Sequence, residues 1–400
     1  MKIDSYTILI ILSIIVILSS FFDFFAKKIK IPSVLMLLGV GMLLRYISTF
    51  FDFTPPNTKN ILEIFGIIGL ILIVLEGALD LKLTKERLPL IRKSFSTAFF
   101  TFLATALLIA FFLHQLLGVE FQRCLVNAIP LAVVSSAITI PSVLNLTNEK
   151  KEFLTYESTF SDIIGIMFFN FVIQDGGFGI NSIMSFILNF IIIIGISIAF
   201  CFLLLFFIEK TRFHVKFILI ISFLVLVYSV GKMLHLSSLL LVLIFGLVLN
   251  NSNLLFQNGF GKYFKTEKLY EELKQLKLIT AESAFLIRTF FFILFGFSFH
   301  LQILLDNNVL ILGGIIIIAI YFVRYLYLQF AAKVPLIPEL FIAPRGLITI
   351  LLFYSIPPTL IIETFSEGIL FFTITVTSIL LMIGLLVTKT KKEDFGEYLQ

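Results

Sequence analysis

Long apolar segments recur along this chain from residue 6 to residue 388, separated by short polar loops. Each segment has about 20 residues, which is the length that an α-helix needs to cross the hydrocarbon core of a bilayer. The chain is 59% hydrophobic and only 14% charged, whereas soluble domains carry about 25% charged residues. Too little charge is therefore present to cover a water-exposed surface. The pattern predicts an all-α polytopic membrane protein.

The apolar segments predict about thirteen transmembrane spans, and the basic residues orient them. Of the 30 Lys and Arg residues, 22 lie in odd-numbered loops and the C-terminal tail, whereas 4 lie in even-numbered loops and the N-terminal end. Because cytoplasmic loops carry the excess of Lys and Arg, we predict a multi-pass cell-membrane protein with its N-terminus outside and its C-terminus in the cytoplasm. This topology accounts for the basic charge, so no nucleic-acid partner is expected. The predicted spans are 6–25, 32–50, 61–80, 95–117, 123–146, 153–174, 182–208, 215–233, 237–250, 280–300, 308–330, 339–356 and 367–388.

Residues 250–278 form the only sizeable segment predicted to lie outside the membrane, on the cytoplasmic side. Its second half places Phe264, Leu269, Leu273 and Leu276 near one helical face, with lysines elsewhere. This pattern predicts a helix that lies along the membrane surface and links two spans.

Side chains that carry enzyme or cofactor chemistry are sparse. The four histidines are scattered and H-E-x-x-H does not occur, while Cys124 and Cys201 lie inside apolar segments without C-x-x-C spacing. The phosphate-binding pattern G-x-x-x-x-G-K-[ST] is also missing from the sequence. The sequence therefore predicts neither an enzyme nor a cofactor, and ATP is not expected to drive its activity.

Seven charged side chains are predicted at membrane depth, where each costs about 2.5 to 3.5 kcal/mol on insertion scales and needs a partner or a function. Glu157 and Arg324 lie at similar depths on the sixth and eleventh spans. They are predicted to form an ion pair that holds these two helices together. The seven residues are Glu76, Glu157, Asp162, Glu282, Arg288, Arg324 and Arg345.

Asp162 has no basic residue on its own predicted helix. At 1.5 Å per residue it lies about 14 Å from the cytoplasmic end of the sixth span, near the bilayer midplane. Ser158, Thr159 and Ser161 are its neighbours in the sequence. A buried carboxyl flanked by hydroxyls suits a dehydrated monovalent cation or a proton, but not both at once. This competition predicts coupled cation and proton flux; the alternative is a structural Asp capped by serines.

Two spans carry helix-breaking residues at membrane depth. The fifth contains SSAITIPSVL with Pro141, and the twelfth contains APRGLITILLFYSIPP with Pro344, Arg345 and Gly346. Interrupted helices in corresponding positions of two halves are typical of secondary transporters, because free carbonyls and helix ends can meet an ion there. The spacing predicts inverted repeats of spans 1–6 and 8–13, with two broken crossing helices.

Seven motifs, in order along nearly the whole chain, resemble the monovalent cation–proton antiporters, the sodium/proton exchanger group. KIPSVLMLLGVGMLL, LIVLEGALDLKL, SSAITIPSVL and YESTFSDIIGIMFF resemble the second, third, fifth and sixth spans of that family. RTFFFILFGFSF, the Arg324 span and APRGLITILL resemble its tenth to twelfth spans.

The resemblance implies that residues 1–400 form one transmembrane antiporter domain that assembles as a homodimer. A core of spans 4–6 and 11–13, roughly residues 95–174 and 308–388, moves against a dimerisation panel made of the remaining spans. Transport in that family proceeds by alternating access in an elevator-like movement.

The resemblance also implies a site. Asp162 would bind the proton and Na⁺ or a similar monovalent cation, while Glu157 and Arg324 match the family's structural ion pair. Arg345 matches the basic residue at the broken twelfth span. The residues that would complete the ion shell are Ser158, Thr139, Glu76 and Ser161.

The chain departs from the family pattern at two positions. Ile140 stands where the family has the Asp of Thr-Asp-Pro, and Ser161 replaces the Asn before Asp162. The single Asp favours electroneutral one-for-one exchange, as the resemblance implies. Without a carboxylate at position 140, Arg345 loses an anionic neighbour, and Glu76 becomes its predicted partner.

Several functions stay open on the sequence alone. The leading prediction is an antiporter that exchanges protons for Na⁺, with Li⁺ or K⁺ as alternatives; K⁺ would suit a site with one carboxylate fewer. A proton-coupled K⁺ exporter is one variant of this prediction. The others are a non-transporting sensor or scaffold on the same fold, in which Ile140 marks a decayed site, and a passive ion channel.

Overall fold

The structure is a computed structural model that describes most of the chain. Within the described ranges every regular element is helical and no strand occurs, so the predicted all-α class is confirmed. The ranges are 5–29, 31–50, 59–81, 84–173, 191–200, 216–233, 238–251, 266–298 and 306–388, with single residues at 184, 188 and 203.

Thirteen α-helices are labelled here in chain order over the described residues. Their bounds are α1 Ser5–Ile29, α2 Ser33–Phe50, α3 Lys59–Asp80, α4 Leu88–Leu117, α5 Phe121–Ala132, α6 Ser136–Ser142, α7 Asn148–Val172, α8 Lys216–Met233, α9 Ser238–Asn250, α10 Thr266–Ser298, α11 Asn307–Leu326, α12 Leu347–Tyr354 and α13 Glu367–Val387. A further helical stretch, Ile191–Phe200, lies within the predicted seventh span. Most of the rest of that span lies outside the described residues.

Five of the described helical segments are long and apolar enough to cross a membrane by length and composition. Shorter apolar helices, including α9, account for several other predicted spans. The number of thirteen spans therefore stays a prediction. The five segments are Leu88–Leu117, Phe121–Ser142, Leu273–Ser298, Asn307–Ala332 and Glu367–Val387.

The helices pack as two groups. In the first group α4 packs on α5 and α7, α6 packs on α7, and α11 packs on α13. In the second group α10 packs on α2 and α3, and α9 packs on α3 and α8. The groups contact each other where α12 meets α3 and where α9 meets α7. A boundary between two packed groups thus runs through the middle of the molecule.

The close contact between α2 and α10 depends on small residues. A side chain at Gly41 would overlap the backbone of Ile293, and one at Gly296 would overlap the backbone of Leu38. Since only glycine leaves this space free, the sequence fixes how near the two helices of the second group can come.

Of the linker predicted at 250–278, residues 252–265 lie outside the described residues, and the part that follows them differs from the prediction. Residues 266–278 continue directly into the predicted tenth span as the single helix α10, instead of forming a separate interfacial helix. Leu276, Thr280 and Ala284 are all buried at four-residue spacing, so one packed stripe crosses the predicted boundary. The sequence between them contains neither Pro nor Gly that would end the helix.

The fifth predicted span is interrupted, but at a different place from the one predicted. Residues 133–135 separate α5 from α6, and Ser135 has extended backbone angles. Ile140 and Pro141 lie inside α6, so the predicted break at these two residues is wrong. Pro141 falls in the last turn of α6, where its missing N–H removes a single helical hydrogen bond.

The twelfth predicted span is irregular over its first half. A π-helical segment, Tyr327–Ala332, extends α11 and ends at Lys333, which has a positive φ of 49°. Only 347–354 of the predicted 339–356 is α-helical; within the missing part, Pro344 cannot donate a helical hydrogen bond and disfavours helical angles at the residue before it. The backbone is irregular at Pro344, Arg345 and Gly346, where the sequence predicted a helix break.

The two interruptions meet in space. The Ser135 N–H donates a hydrogen bond to the Pro344 carbonyl oxygen at 2.8 Å. A Cβ atom at Gly346 would lie 2.6 Å from Ser135 Oγ and 2.9 Å from Ile138 Cδ1. A side chain at position 346 would therefore fit only if the side chains of Ser135 and Ile138 moved away.

We expect Gly346→Ala to lower the free energy of unfolding by about 1 to 3 kcal/mol, because the added methyl group overpacks this contact. The melting temperature of the detergent-solubilised protein measures the effect. Gly314→Ala on α11 is the matched control, since a Cβ there meets nothing within 4 Å and alanine favours a helix. Equal melting temperatures for Gly346→Ala and the wild type would contradict the close approach.

Candidate ion-binding site

Helix α7 carries the carboxyl group at the centre of the candidate site. Asp162 is 4% exposed, and its Oδ2 accepts a hydrogen bond from the Ser136 backbone N–H at 3.2 Å. Its Oδ1 is buried and has no hydrogen-bond partner among the described residues. Because a buried polar oxygen without a partner is costly, this atom is available to a ligand.

Asp162 lines a cavity on the boundary between the two helix groups. The first group supplies Asp162, Ser136 and Thr159 from α6 and α7. The second group supplies apolar residues of α3 and α9, including Val74 and Leu240. The polar groups of the cavity therefore lie on one wall, and the facing wall is apolar.

The other predicted ligands have different surroundings. The Thr139 hydroxyl, on α6, is buried and has no hydrogen-bond partner in the described structure. The Ser158 hydroxyl donates to the Thr155 carbonyl oxygen at 3.2 Å, and Ser161 Oγ accepts from the Val134 N–H at 2.9 Å. Ser158 and Ser161 thus bond to the backbone in this structure, and their role as ion ligands stays a prediction.

Glu76 lies on α3, next to the cavity-lining Gly77. It interacts electrostatically with two cations, Arg288 and Lys277, and with a like charge, Asp80, all within the second helix group. It belongs to the opposite side of the boundary from Asp162, so its place in an ion shell also stays a prediction.

The predicted ion pair between α7 and α11 is present. Arg324 Nη2 donates to Glu157 Oε2 at 3.1 Å, and Arg324 Nη1 contacts Glu157 Oε1. Both side chains are almost fully buried. Arg324 Nε also donates to the Glu339 carbonyl oxygen at 2.9 Å, so the pair is anchored to the irregular segment before α12.

A second ion pair reinforces that anchor. Lys150 Nζ, near the start of α7, lies 3.1 Å from Glu339 Oε1 and donates to the Ile337 carbonyl oxygen at 2.9 Å. The carboxyl of Glu339 is buried. This pair was not predicted from the sequence, because nothing along the chain indicates that Glu339 is buried.

Arg345 has a different partner from the predicted one. Its Nε donates to the Leu131 carbonyl oxygen at 2.7 Å and its Nη2 to that of Ala132 at 3.2 Å. These are carbonyls at the C-terminal end of α5, which lack helical partners there. Arg345 therefore caps α5, and the predicted pairing with Glu76 is wrong.

Two further residues of the site were missed. Ser136 lines the cavity beside Asp162, and Arg288 Nη1 donates to the Ala137 carbonyl oxygen at 3.0 Å. Pro141 could have indicated the contact of Arg288, because a proline at position 141 leaves the Ala137 carbonyl without a helical donor.

Comparison with known proteins identifies the family. The family model described as the transmembrane sodium/hydrogen exchanger matches residues 10–389. The chain belongs to the sodium/hydrogen exchanger family. This membership confirms the family predicted from the sequence motifs and the general function of a secondary antiporter rather than an enzyme.

Two solved structures of one protein, the sodium proton antiporter MjNhaP1 from Methanocaldococcus jannaschii, resemble this exchanger-family chain. One, at pH 8, is 21% identical with a TM-score of 0.68 and covers 94% of each chain. The other, from an electron-microscopy map, is 22% identical with a TM-score of 0.72, and covers 97% of this chain and 100% of that one. At these identities the likeness establishes the fold. Among curated protein sequences, none matches the chain.

Proposed function

We propose that this protein exchanges protons for monovalent cations, with Na⁺ as the main cation, at the Asp162 cavity. The observation that carries the proposal is the unpartnered Oδ1 of a buried carboxyl that faces a cavity between two helix groups. A bare carboxylate is unfavourable there, so the group is occupied by a cation or by a proton. Loading one displaces the other, and this competition couples the two fluxes.

The proposed exchange is electroneutral. Within the part of the chain that the structure describes, Asp162 is the only acidic residue that lines the cavity, and position 140, on the adjacent α6, is isoleucine. A single carboxylate carries one cation in one direction and one proton in the other. Ser158, Thr139, Ser161 and Glu76 are proposed to complete the shell, in part through water.

The first helix group is the proposed moving core, and the second is the proposed dimerisation panel of a homodimer. In this proposal α4–α7 and α11–α13 carry Asp162 across the membrane relative to α1–α3 and α8–α10. The position of the cavity on the boundary between the groups supports this assignment. The protein is proposed to lie in the cell membrane with its N-terminus outside.

Proton flux in proteoliposomes tests the function. With an imposed pH gradient, addition of Na⁺ is expected to collapse the gradient through the wild-type protein, and Li⁺ and K⁺ are added in separate runs to rank the cations. A K⁺ response stronger than the Na⁺ response would make the protein a proton-coupled K⁺ exporter. If none of the three cations affects the gradient through folded protein, the proposal is wrong and a decayed site is favoured.

A further inference from the structure

Because of Pro141, the Ala137 carbonyl oxygen of α6 has no helical hydrogen-bond donor and can accept a hydrogen bond from a side chain. In a regular helix the Ala137 carbonyl accepts a hydrogen bond from the N–H four residues later, and here that residue is a proline. The Thr139 N–H and the Val143 N–H still make their helical bonds, to Ser135 and Thr139 respectively. The proline therefore removes one donor from α6 without unwinding it.

The missing donor comes from the other helix group. Arg288, on α10, donates from Nη1 to the Ala137 carbonyl oxygen at 3.0 Å. Helix α10 packs on α2 and α3, whereas α6 packs on α7. This hydrogen bond, called the Arg288 latch below, therefore joins the helix that flanks Asp162 to the opposite side of the boundary.

Arg288 also interacts electrostatically with a carboxyl of its own group, that of Glu76 on the neighbouring α3. Because Arg288 is part of α10, it stays with the second group when the first group moves. Because Ala137 belongs to the first group, a displacement of the groups along their boundary has to break the latch.

We propose that the Arg288 latch stabilises the conformation seen in this structure and so sets the balance between the two states of the transport cycle. This inference rests on the proposed function, since it assumes that the groups move during exchange. Arg288 is a positioning residue, because it acts through α6 and not on the ion. Loss of a hydrogen bond from a charged donor is expected to change the equilibrium constant between the two conformations by about ten- to a hundredfold.

A cysteine pair reports the population of this state without requiring transport. A Cβ at Gly77 on α3 would lie 3.3 Å from Thr159 Cγ2 on α7, so cysteines at these positions face each other across the boundary. The pair Gly77→Cys and Thr159→Cys is placed in a background with Cys124→Ala and Cys201→Ala. The rate of disulfide formation is followed by labelling the remaining free thiols with a maleimide after denaturation.

We expect Arg288→Gln to slow disulfide formation, because the latched state becomes less populated. Arg288→Lys retains a charged donor and is expected to give an intermediate rate. Lys277→Gln is the matched control, because Lys277 lies on the same helix but pairs with Asp80 inside the second group. Disulfide formation in Lys277→Gln should be as fast as in the protein that carries only the cysteine pair. An unchanged rate for Arg288→Gln overturns the proposal.

Pro141→Ala provides an independent test that keeps Arg288 in place. The new N–H at position 141 competes for the Ala137 carbonyl within α6. Slower disulfide formation is expected here too, by a smaller factor than for Arg288→Gln. If Arg288→Gln fails to fold, a Pro141→Ala rate equal to that of the parent pair rejects the latch.

Transport kinetics separate the latch from a general loss of structure. Transport is measured in protein with the native Gly77 and Thr159. There, Arg288→Gln is expected to raise the apparent KM for the cation on one face of the membrane and to lower it on the other. Each change should be at most about ten- to a hundredfold. Damage to the fold would instead lower kcat on both faces. If wild-type protein shows no cation-driven proton flux but disulfide formation responds to Arg288→Gln, the latch stands and the proposed function falls. If the wild type transports and the rate does not respond, the latch alone is rejected.

Discussion

Asp162→Asn is expected to reduce cation-dependent proton flux to the level of protein-free liposomes. Asparagine has nearly the same shape as aspartate, but it neither takes up a proton nor carries the negative charge that a cation needs. Since Asp162 is the only acidic residue among the described residues that line the cavity, no other described lining group can take its place. Flux in proteoliposomes with an imposed pH gradient measures the loss.

The matched control for this substitution is Glu149→Gln, which makes the same chemical change on the same helix. Glu149 lies in the first turn of α7 and is exposed, so its flux should equal that of the wild type. The melting temperature of Asp162→Asn should not fall, because removing a buried charge relieves a desolvation cost. Wild-type flux in Asp162→Asn would remove the carboxyl from the mechanism.

Glu157→Gln is expected to lower the free energy of unfolding by about 3 to 5 kcal/mol, since it leaves Arg324 buried without a counter-charge. Arg324 is 2% exposed, so bulk solvent does not reach it to compensate for the lost carboxylate. Thermal melting of the detergent-solubilised protein measures the loss. The double variant Glu157→Leu with Arg324→Met is expected to recover part of it, because removing both charges of a buried pair is often close to neutral.

Glu152→Gln is the control for that experiment. Glu152 lies on the same helix and pairs with Arg87 at 3.1 Å, but both side chains are about one-third exposed or more. Exposed pairs of this kind contribute at most about 1 kcal/mol. A melting temperature of Glu157→Gln equal to that of Glu152→Gln would show that the buried pair does not stabilise the protein.

The parts of the site that were predictable from the sequence are those in which a residue conflicts with its local surroundings. Asp162, Glu157 and Arg324 stand out because a charge in an apolar segment requires an explanation. Arg324 was then predicted to be the partner of Glu157 because the two residues lie at similar depths in the membrane, and the structure contains this ion pair. In the same way, proline and glycine indicated irregular backbone at 344–346.

The remaining parts depend on three-dimensional contacts that leave no local pattern. The break in the fifth span lies at 133–135 and not at Pro141, because the Ser135 N–H finds its partner in a segment more than 200 residues away. Arg345 was paired with a carboxylate by charge, whereas its donors are used by the carbonyls at the end of α5. A guanidinium can donate all its hydrogen bonds to backbone carbonyl oxygens, and a comparison of side-chain charges does not include these acceptors.

The Asp162 cavity has polar groups on one wall only, and this asymmetry has a thermodynamic consequence for the proposed exchange. The α3 and α9 residues that line the other wall are Ile73, Val74, Gly77, Leu239, Leu240 and Leu243, and their side chains offer a cation no oxygen ligand. Of the proposed shell residues only Glu76, on α3, would stay behind when the first group moves, so the ion would keep its other ligands from one side of the membrane to the other. Its intrinsic dissociation constant would therefore be similar at both faces, and the site could load equally well from either side. The net direction of exchange would follow from the two ion gradients alone.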